Sequence, residues 1–267
     1  MTIVPTPIRP KPSEDYPETI DNHAVLNELE TVKDRLEDDE LREYTTSIDN
    51  QETLQQLEDE KDQLSAWAAT IFSGSILAGL TTFSIGMLGI LLAWKPMTRL
   101  EKVARLIKLI QAILDEFEQW GVEVLPLIRV PRYQPIDLFV RFPGKEFLLF
   151  AIRSHGESVI VYNEAKQCLY QKRSPRGMSR WKPDPLVDLS EQAYWLRKNR
   201  RELFGSSKGV RKPMAKVLVL WGQTQLDQHR EHLYATLGGK KFLFIPREGG
   251  ACYVIHQSQV IHFVRAW

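Results

Sequence analysis

The chain is poor in the residues that usually announce chemistry. Its 267 residues include two cysteines, Cys168 and Cys252, at no metal or redox spacing. They allow one bridge at most, and reduced thiols suit a cytosolic domain better. Six histidines are present. His229 and His232 lie three apart on an expected helix, and His256 and His262 fall in expected strands. Cys252 is the one cysteine near them, and a zinc site wants a further ligand at proper geometry. There is no phosphate-binding loop, no GxSxG and no HExxH, so nothing in the sequence marks a P-loop enzyme, an α/β-hydrolase or a zinc peptidase.

Charge is missing from one long stretch. Residues 64–94 hold no Lys, Arg, Asp, Glu, His, Asn or Gln. A bilayer span needs about 20 apolar residues. These 31 residues, at about 1.5 Å each, predict one transmembrane helix roughly 46 Å long, tilted or with its ends among headgroups. Two spans do not fit. Trp67 and Trp94 stand where interfacial aromatics belong, and Lys95, Arg99 and Lys102 follow at the membrane surface. Arg105 and Lys108 extend that basic flank, whereas Glu58, Asp59, Glu60 and Asp62 surround Lys61 on the other side. The positive side stays in the cytoplasm. Residues 95–267 are thus expected in the cytosol, beneath the plasma membrane or an internal membrane such as a thylakoid. Gly74, Gly79, Gly86 and Gly89 lie in the run, and Ser75 with Gly79 forms a small-xxx-small pair. Self-association, or docking to a membrane-protein partner, is one reading; the ordinary abundance of Gly in membrane helices is the other.

What is present divides by charge. The net +1 conceals 6 Lys/Arg against 18 Asp/Glu in residues 1–66, and 29 against 16 in residues 95–267. Pro5, Pro7, Pro10, Pro12 and Pro17 make residues 1–22 an extended, disordered tail. Residues 23–63 read as an acidic helical arm. Val25, Leu29, Val32 and Leu36 have coiled-coil spacing, but the seam fails at Asp39 and Glu43 and restarts twice, at Leu41, Tyr44 and Ile48 and at Leu54 and Leu57. A short coiled coil and a pair of solvated helices both fit, and either serves as a spacer or a partner hook. Beyond Pro96, the spacing of Leu100, Val103, Ile107, Ile110, Leu114 and Phe117 predicts an amphipathic helix stopped by Gly121. It is read as a core helix of the next domain, a surface helix on anionic lipid, or both.

Apolar runs bounded by turn residues predict strands at Val122–Val130, Ile136–Phe142 and Glu146–Arg153, then a small hairpin over Ser158–Tyr162 and Cys168–Gln171. Helices are expected over Leu189–Phe204 and Leu226–Leu237, the second ended by Gly238 and Gly239. Further strands are expected at Lys216–Trp221, Lys241–Ile245, Cys252–Ile255 and Val260–Val264. The fold class is α+β, a mixed sheet flanked by helices.

The stretch IDLFVRFPGKEFLLFAIRSHGE, the hairpin after it, and Trp181 followed by PLVDLSEQAYWLRKNRREL together resemble the nuclease-related domain (NERD) of the PD-(D/E)xK restriction-endonuclease-like superfamily. The resemblance covers roughly residues 97–245 and implies an αβββαβ core. In that family an acidic pair opens the second strand, a Glu and a Lys close the third, and a divalent metal lies between Asp and Glu. By position Asp137 matches the Asp and Pro135 replaces the upstream Glu. Ala151 replaces the metal-binding Glu, and Arg153 replaces the Lys. The resemblance thus implies a degenerate site, in which Arg153 pairs with Asp137 where an ion would be, and neither metal nor cofactor is expected. An arginine is a permanent cation and cannot act as a base, and Ala151 offers a metal no oxygen. The alternative is a Mg²⁺- or Mn²⁺-dependent nuclease with a migrated carboxylate, Glu191 being the candidate and Glu157 and Glu164 the others.

Lys172, Arg173, Arg176, Arg180 and Lys182 punctuate a loop holding Trp181, and Arg197, Lys198, Arg200 and Arg201 end the following helix. Such residues suit nucleic-acid phosphate, the anionic leaflet, or simply the negative end of a helix. The expectation is a single-pass membrane protein whose domain binds or scaffolds without catalysing. A membrane-tethered nuclease and a structural subunit of a larger membrane complex are the alternatives.

Overall fold

The computed structural model describes residues 48–79, 83–143, 146–173, 177–205, 207–247 and 250–267; at 72, 74–79, 83–95 and 207–208 it describes the backbone alone. The chain divides into two compact units, Met1–Glu43 and Tyr44–Trp267, and all described residues belong to the second. The tail at 1–22 and most of the coiled-coil seam therefore lie outside the described residues.

Two long helices open the unit, α1 (Asn50–Gly79) and α2 (Phe83–Phe117). They pack against each other along their length and run antiparallel. Gln51 Nε2 donates to Glu118 over 3.1 Å, Gln111 Nε2 to Glu58 over 3.5 Å, and Arg99 Nε to Glu60 over 2.6 Å. The expected single helix over 64–94 is thus replaced by the far ends of two helices. Among the described residues no helix is long and apolar enough to cross a membrane. The first helix ends at Gly79 and the second begins at Phe83; residues 80–82 lie outside the described residues. The acidic residues before the run and the basic residues after it then face each other.

A seven-stranded sheet follows, built from β1 (Glu123–Ile128), β2 (Ile136–Arg141), β3 (Phe147–Arg153), β7 (Met214–Leu220), β9 (Tyr234–Leu237), β10 (Lys240–Ile245) and β11 (Cys252–His256). Its order is β1-β2-β3-β7-β11-β10-β9. Only β3–β7 and β7–β11 pair in parallel. β2, β3 and β7 lie deepest and are almost uninterruptedly apolar, as strands covered on both faces must be. A smaller sheet, β6-β5-β4-β8, comprises β4 (Val159–Asn163), β5 (Cys168–Arg173), β6 (Gly177–Arg180) and β8 (Gln225–Leu226). Three more helices complete the unit: α3 (Pro185–Asn199), the single turn α4 (Ser207–Val210) and α5 (Val260–Ala266).

The large sheet separates two cores. On one face Val103, Leu106, Ile110, Ile113 and Phe117 of α2, Leu57 of α1 and Phe263 of α5 cover Leu138, Phe150, Val217 and Ile255. On the other, Leu186, Leu189 and Leu196 of α3, with Trp181, Ile160 and Leu169, cover Phe147, Leu149, Leu218 and Val254. Each such buried side chain contributes about 1.5–3 kcal/mol relative to exposure. The stripe read on α2 is therefore a core stripe.

Two expected elements differ. Residues 226–237 form no helix: β8, a 3-10 turn at Glu231–Leu233 and β9 take their place. Gly238 and Gly239, with φ of 53° and 74°, turn β9 into β10 so that Leu237 pairs with Lys240. A Gly pair with both φ positive is a hairpin signal, and it outweighs the helical spacing before it. Residues 260–264 are helical rather than extended, because Val260, Phe263 and Val264 all reach the core at i, i+3 and i+4 spacing. His229 and His232 thus share no helix, and His262 lies on α5.

Candidate functional site

The site lies at the carboxyl end of β3, where the parallel neighbour β7 also ends. The β2–β3 ladder runs from Arg141↔Phe147 to Leu138↔Phe150 and stops there. Asp137 takes over beyond it: Oδ2 accepts the Ile152 backbone N–H over 2.7 Å. The same oxygen accepts a hydrogen bond from Nη1 of Arg153, which also donates to the Ile152 carbonyl. The other oxygen, Oδ1, is 2.5 Å from the Lys102 ammonium on α2, an ionic contact without the directed geometry of a hydrogen bond. Asp137 is 1% exposed. A buried carboxylate costs several kcal/mol to desolvate unless it is paired and hydrogen-bonded, and here two cations and an amide do that.

The positions that the nuclease-related resemblance implies fall together in part. Asp137 and Arg153 meet; Ala151 is buried in the core on the α3 side; Pro135 is exposed at the entry to β2. Glu191 is held elsewhere. It lies near the Tyr133 phenol, and its charge raises that phenol's pKa. The carboxylate of α3 that bears on Arg153 is Asp188, a turn earlier. Burial raises its pKa, which the Arg153 charge opposes. Glu164 pairs with His232 over 3.0 Å.

Polar contacts brace the loop after β3. His155 N–H donates to Thr224 Oγ1 over 2.7 Å, and the buried Ser158 hydroxyl donates to the His155 carbonyl over 2.7 Å. Arg173 Nε donates to Ser158 Oγ over 2.9 Å. The His155 ring stands edge-on to Trp181, with centroids 4.3 Å apart. Burial first, then the Arg173 and Arg153 charges, push the His155 pKa down, so this imidazole is held neutral between two guanidinium groups.

These residues do not fit a divalent ion. Such ions want several hard oxygens, yet both oxygens of Asp137 face cationic partners and Ala151 supplies none. Among the described residues no group of three or more His, Cys, Asp or Glu is arranged to hold a metal.

The expected basic face is divided. Arg197 turns inward and donates to the Lys212 carbonyl over 2.8 Å, and Arg200 pairs with Glu202. Arg173 is engaged with Ser158. Lys172, Arg180, Lys182, Lys198 and Arg201 are exposed, whereas Arg176 lies outside the described residues. In the β5–β6 register Tyr170 faces Arg180 and Lys172 faces Met178, so Lys172 and Arg180 share one side of that ribbon. Of the membrane-interface residues, Trp67 is 67% exposed and Arg99 is paired with Glu60. Trp94 and Lys95 are described only as backbone of α2. Lys102 turns its ammonium to Asp137, because a buried carboxylate offers it more than water does.

Both cysteines are free and buried. Cys252 pairs in register with Lys216, whose Nζ donates to Ser190 Oγ over 3.3 Å. Burial lowers the lysine pKa and raises that of the thiol, so Cys252 is a protonated core residue, not a nucleophile.

Lys102, Asp188 and the Ser158–Arg173–His155 chain escaped sequence reasoning. Lys102 is separated from Asp137 by a helix end and a strand, and no local pattern joins them. No protein-family model, curated protein or solved structure matches the chain, and the fold and site define it as an α+β protein with a charge-paired strand end.

Proposed function

We propose that this chain is a membrane-associated binding or scaffolding protein, an accessory factor whose nuclease-like strand end is held together by fixed charges and does not cleave. One observation carries the reading. Asp137 is fully buried with Arg153 on one oxygen and Lys102 near the other. A charge-assisted hydrogen bond from a guanidinium to a carboxylate is a stable substitute for a lost ion, and two cations repel a third. The nuclease-related resemblance and the uncharged run at 64–94 support the two halves of the reading.

The test uses the full chain in detergent, with plasmid DNA and with RNA, in Mg²⁺ and in Mn²⁺. No cleavage is expected. Nor is a rise in melting temperature with either ion, although a ligand at about 100 times its Kd would stabilise by roughly 2.7 kcal/mol. Cleavage that disappears in Asp137→Asn or Glu191→Gln would overturn the reading and restore the nuclease. The exposed Lys172, Arg180, Lys182, Lys198 and Arg201 favour a second reading, binding of nucleic-acid phosphate. Its mark is a steep salt dependence, with the slope falling by about one for each phosphate contact removed. A stoichiometric membrane-protein partner recovered in detergent would instead mark a complex subunit.

A further inference from the structure

We infer that the apolar ends of the antiparallel helices α1 and α2, residues 64–79 and 83–94, enter a lipid bilayer from one side as a helical pair, so that both flanks lie on the same face of the membrane. This rests on the reading that the uncharged run meets lipid, and replaces a crossing helix with a one-sided anchor.

The flanks are joined outside the run. Asn50 opens α1, and its amide donates to the Val122 carbonyl over 2.7 Å while its Oδ1 accepts the Val124 N–H over 3.0 Å. Leu57 is buried among α2 and the sheet, and Gln51 reaches Glu118. Residues before the run are thus bound to residues after it. A membrane between them would tear these contacts out of the core.

Length agrees. The uncharged part of α1, residues 64–79, reaches about 24 Å and that of α2, residues 83–94, about 18 Å at 1.5 Å per residue. Neither matches a hydrocarbon core of about 30 Å. Both suit a helical pair that passes somewhat beyond one leaflet.

The antiparallel register also moves the tryptophans. Glu60 is level with Arg99, and Trp67 and Pro96 line the same cleft between the helices, about 370 Å³ with Gln63 and Leu64. Trp94 therefore falls beside Trp67 in height, although sequence alone puts them at opposite interfaces. One aromatic belt forms at the mouth of the pair, with Arg99, Glu60 and Lys61 just outside it in the headgroup and water layer.

Lipid is the occupant the composition favours. Residues 83–94, FSIGMLGILLAW, have no polar face to leave in water. A helix apolar all round belongs in a protein core or a membrane, and a second copy packed on one side would leave the other side wet.

The test has two stages on the full chain. The protein is first floated with vesicles of phosphatidylcholine and phosphatidylglycerol. Flotation is expected, and Leu91→Asp is expected to reduce it at least tenfold without changing the melting temperature. Failure to float, or a soluble dimer in its place, removes the lipid reading itself. Gln55→Cys on α1 and Lys198→Cys on α3 are then labelled in sealed vesicles with a membrane-impermeant maleimide; both native cysteines are buried. Equal labelling at the two positions is expected in every preparation. If one is protected until detergent is added while the protein still floats, the run crosses the membrane and the one-sided pair is refuted.

Discussion

At the scale of single residues the protein is decided by who neutralises Asp137. Breaking a buried ion pair from one side is strongly destabilising, about 3–5 kcal/mol, because the remaining charge is stranded. Arg153→Met is expected to fall in that range by urea denaturation. Arg153→Met combined with Asp137→Leu should cost less than the two single changes added together, because no carboxylate is then left to strand. Titration gives a second check. His155 is held below its ordinary value of 6.5, so the unfolded chain takes up that proton before the native protein does. Stability at this site is therefore intact above about pH 6.5 and declines as the pH falls below it. His155→Gln should flatten that decline. Asp188 works in the opposite sense. Its pKa lies above 3.8 in the native state, so its contribution is present at low pH and lost as the pH rises through the raised value. A melting-temperature series from pH 4 to pH 8 separates the two.

At the scale of elements the base of the α1–α2 pair is a structural part of the domain. Leu57→Ala should cost about 2–5 kcal/mol, as buried Leu truncations do, and Asn50→Ala removes both hydrogen bonds to the β1 entry. If α1 were an independent arm, neither change would move the unfolding midpoint of the sheet. The β9–β10 turn makes a separate case. Gly239 has φ of 74° and open space around its missing Cβ, so Gly239→Val is penalised by backbone conformation rather than by a clash. The expected loss is about 1–2 kcal/mol. Gly238→Val adds a clash, since a Cβ there would stand 2.8 Å from the Ala266 Cβ on α5. Gly238→Val should therefore be the worse of the pair.

At the scale of the whole molecule, charge and topology meet at one edge. The helix that leaves the apolar run carries Lys102 to Asp137 and Lys108 to a groove beside Trp221. The strand ends that hold the ion pairs thus lie alongside the part of α2 that follows the uncharged run. Glu60 of the acidic flank pairs with Arg99 of the basic flank across α1 and α2. Removing residues 1–94 is expected to lower the melting temperature of the remainder, because Leu54, Leu57 and Leu64 leave the core.

The sequence by itself determined the apolar run, the core stripe of α2 and the three-strand meander, each written in local periodicity or in a short segment whose strands are adjacent. The meeting of Asp137 with Arg153 was what the nuclease-related resemblance implied. It missed the division of the apolar run between two antiparallel helices, because hydrophobicity measures affinity for lipid and not the direction of a helix. It also missed Lys102 and Asp188 around Arg153, the hairpin made by Gly238 and Gly239, and the helix at Val260–Ala266. Those depend on which distant surface is available to cover a side chain, and only packing decides that. The docking of the α1 start on the sheet belongs to the same class: two hydrogen bonds join Asn50 to residues more than 70 positions away, which no run of apolar residues can encode.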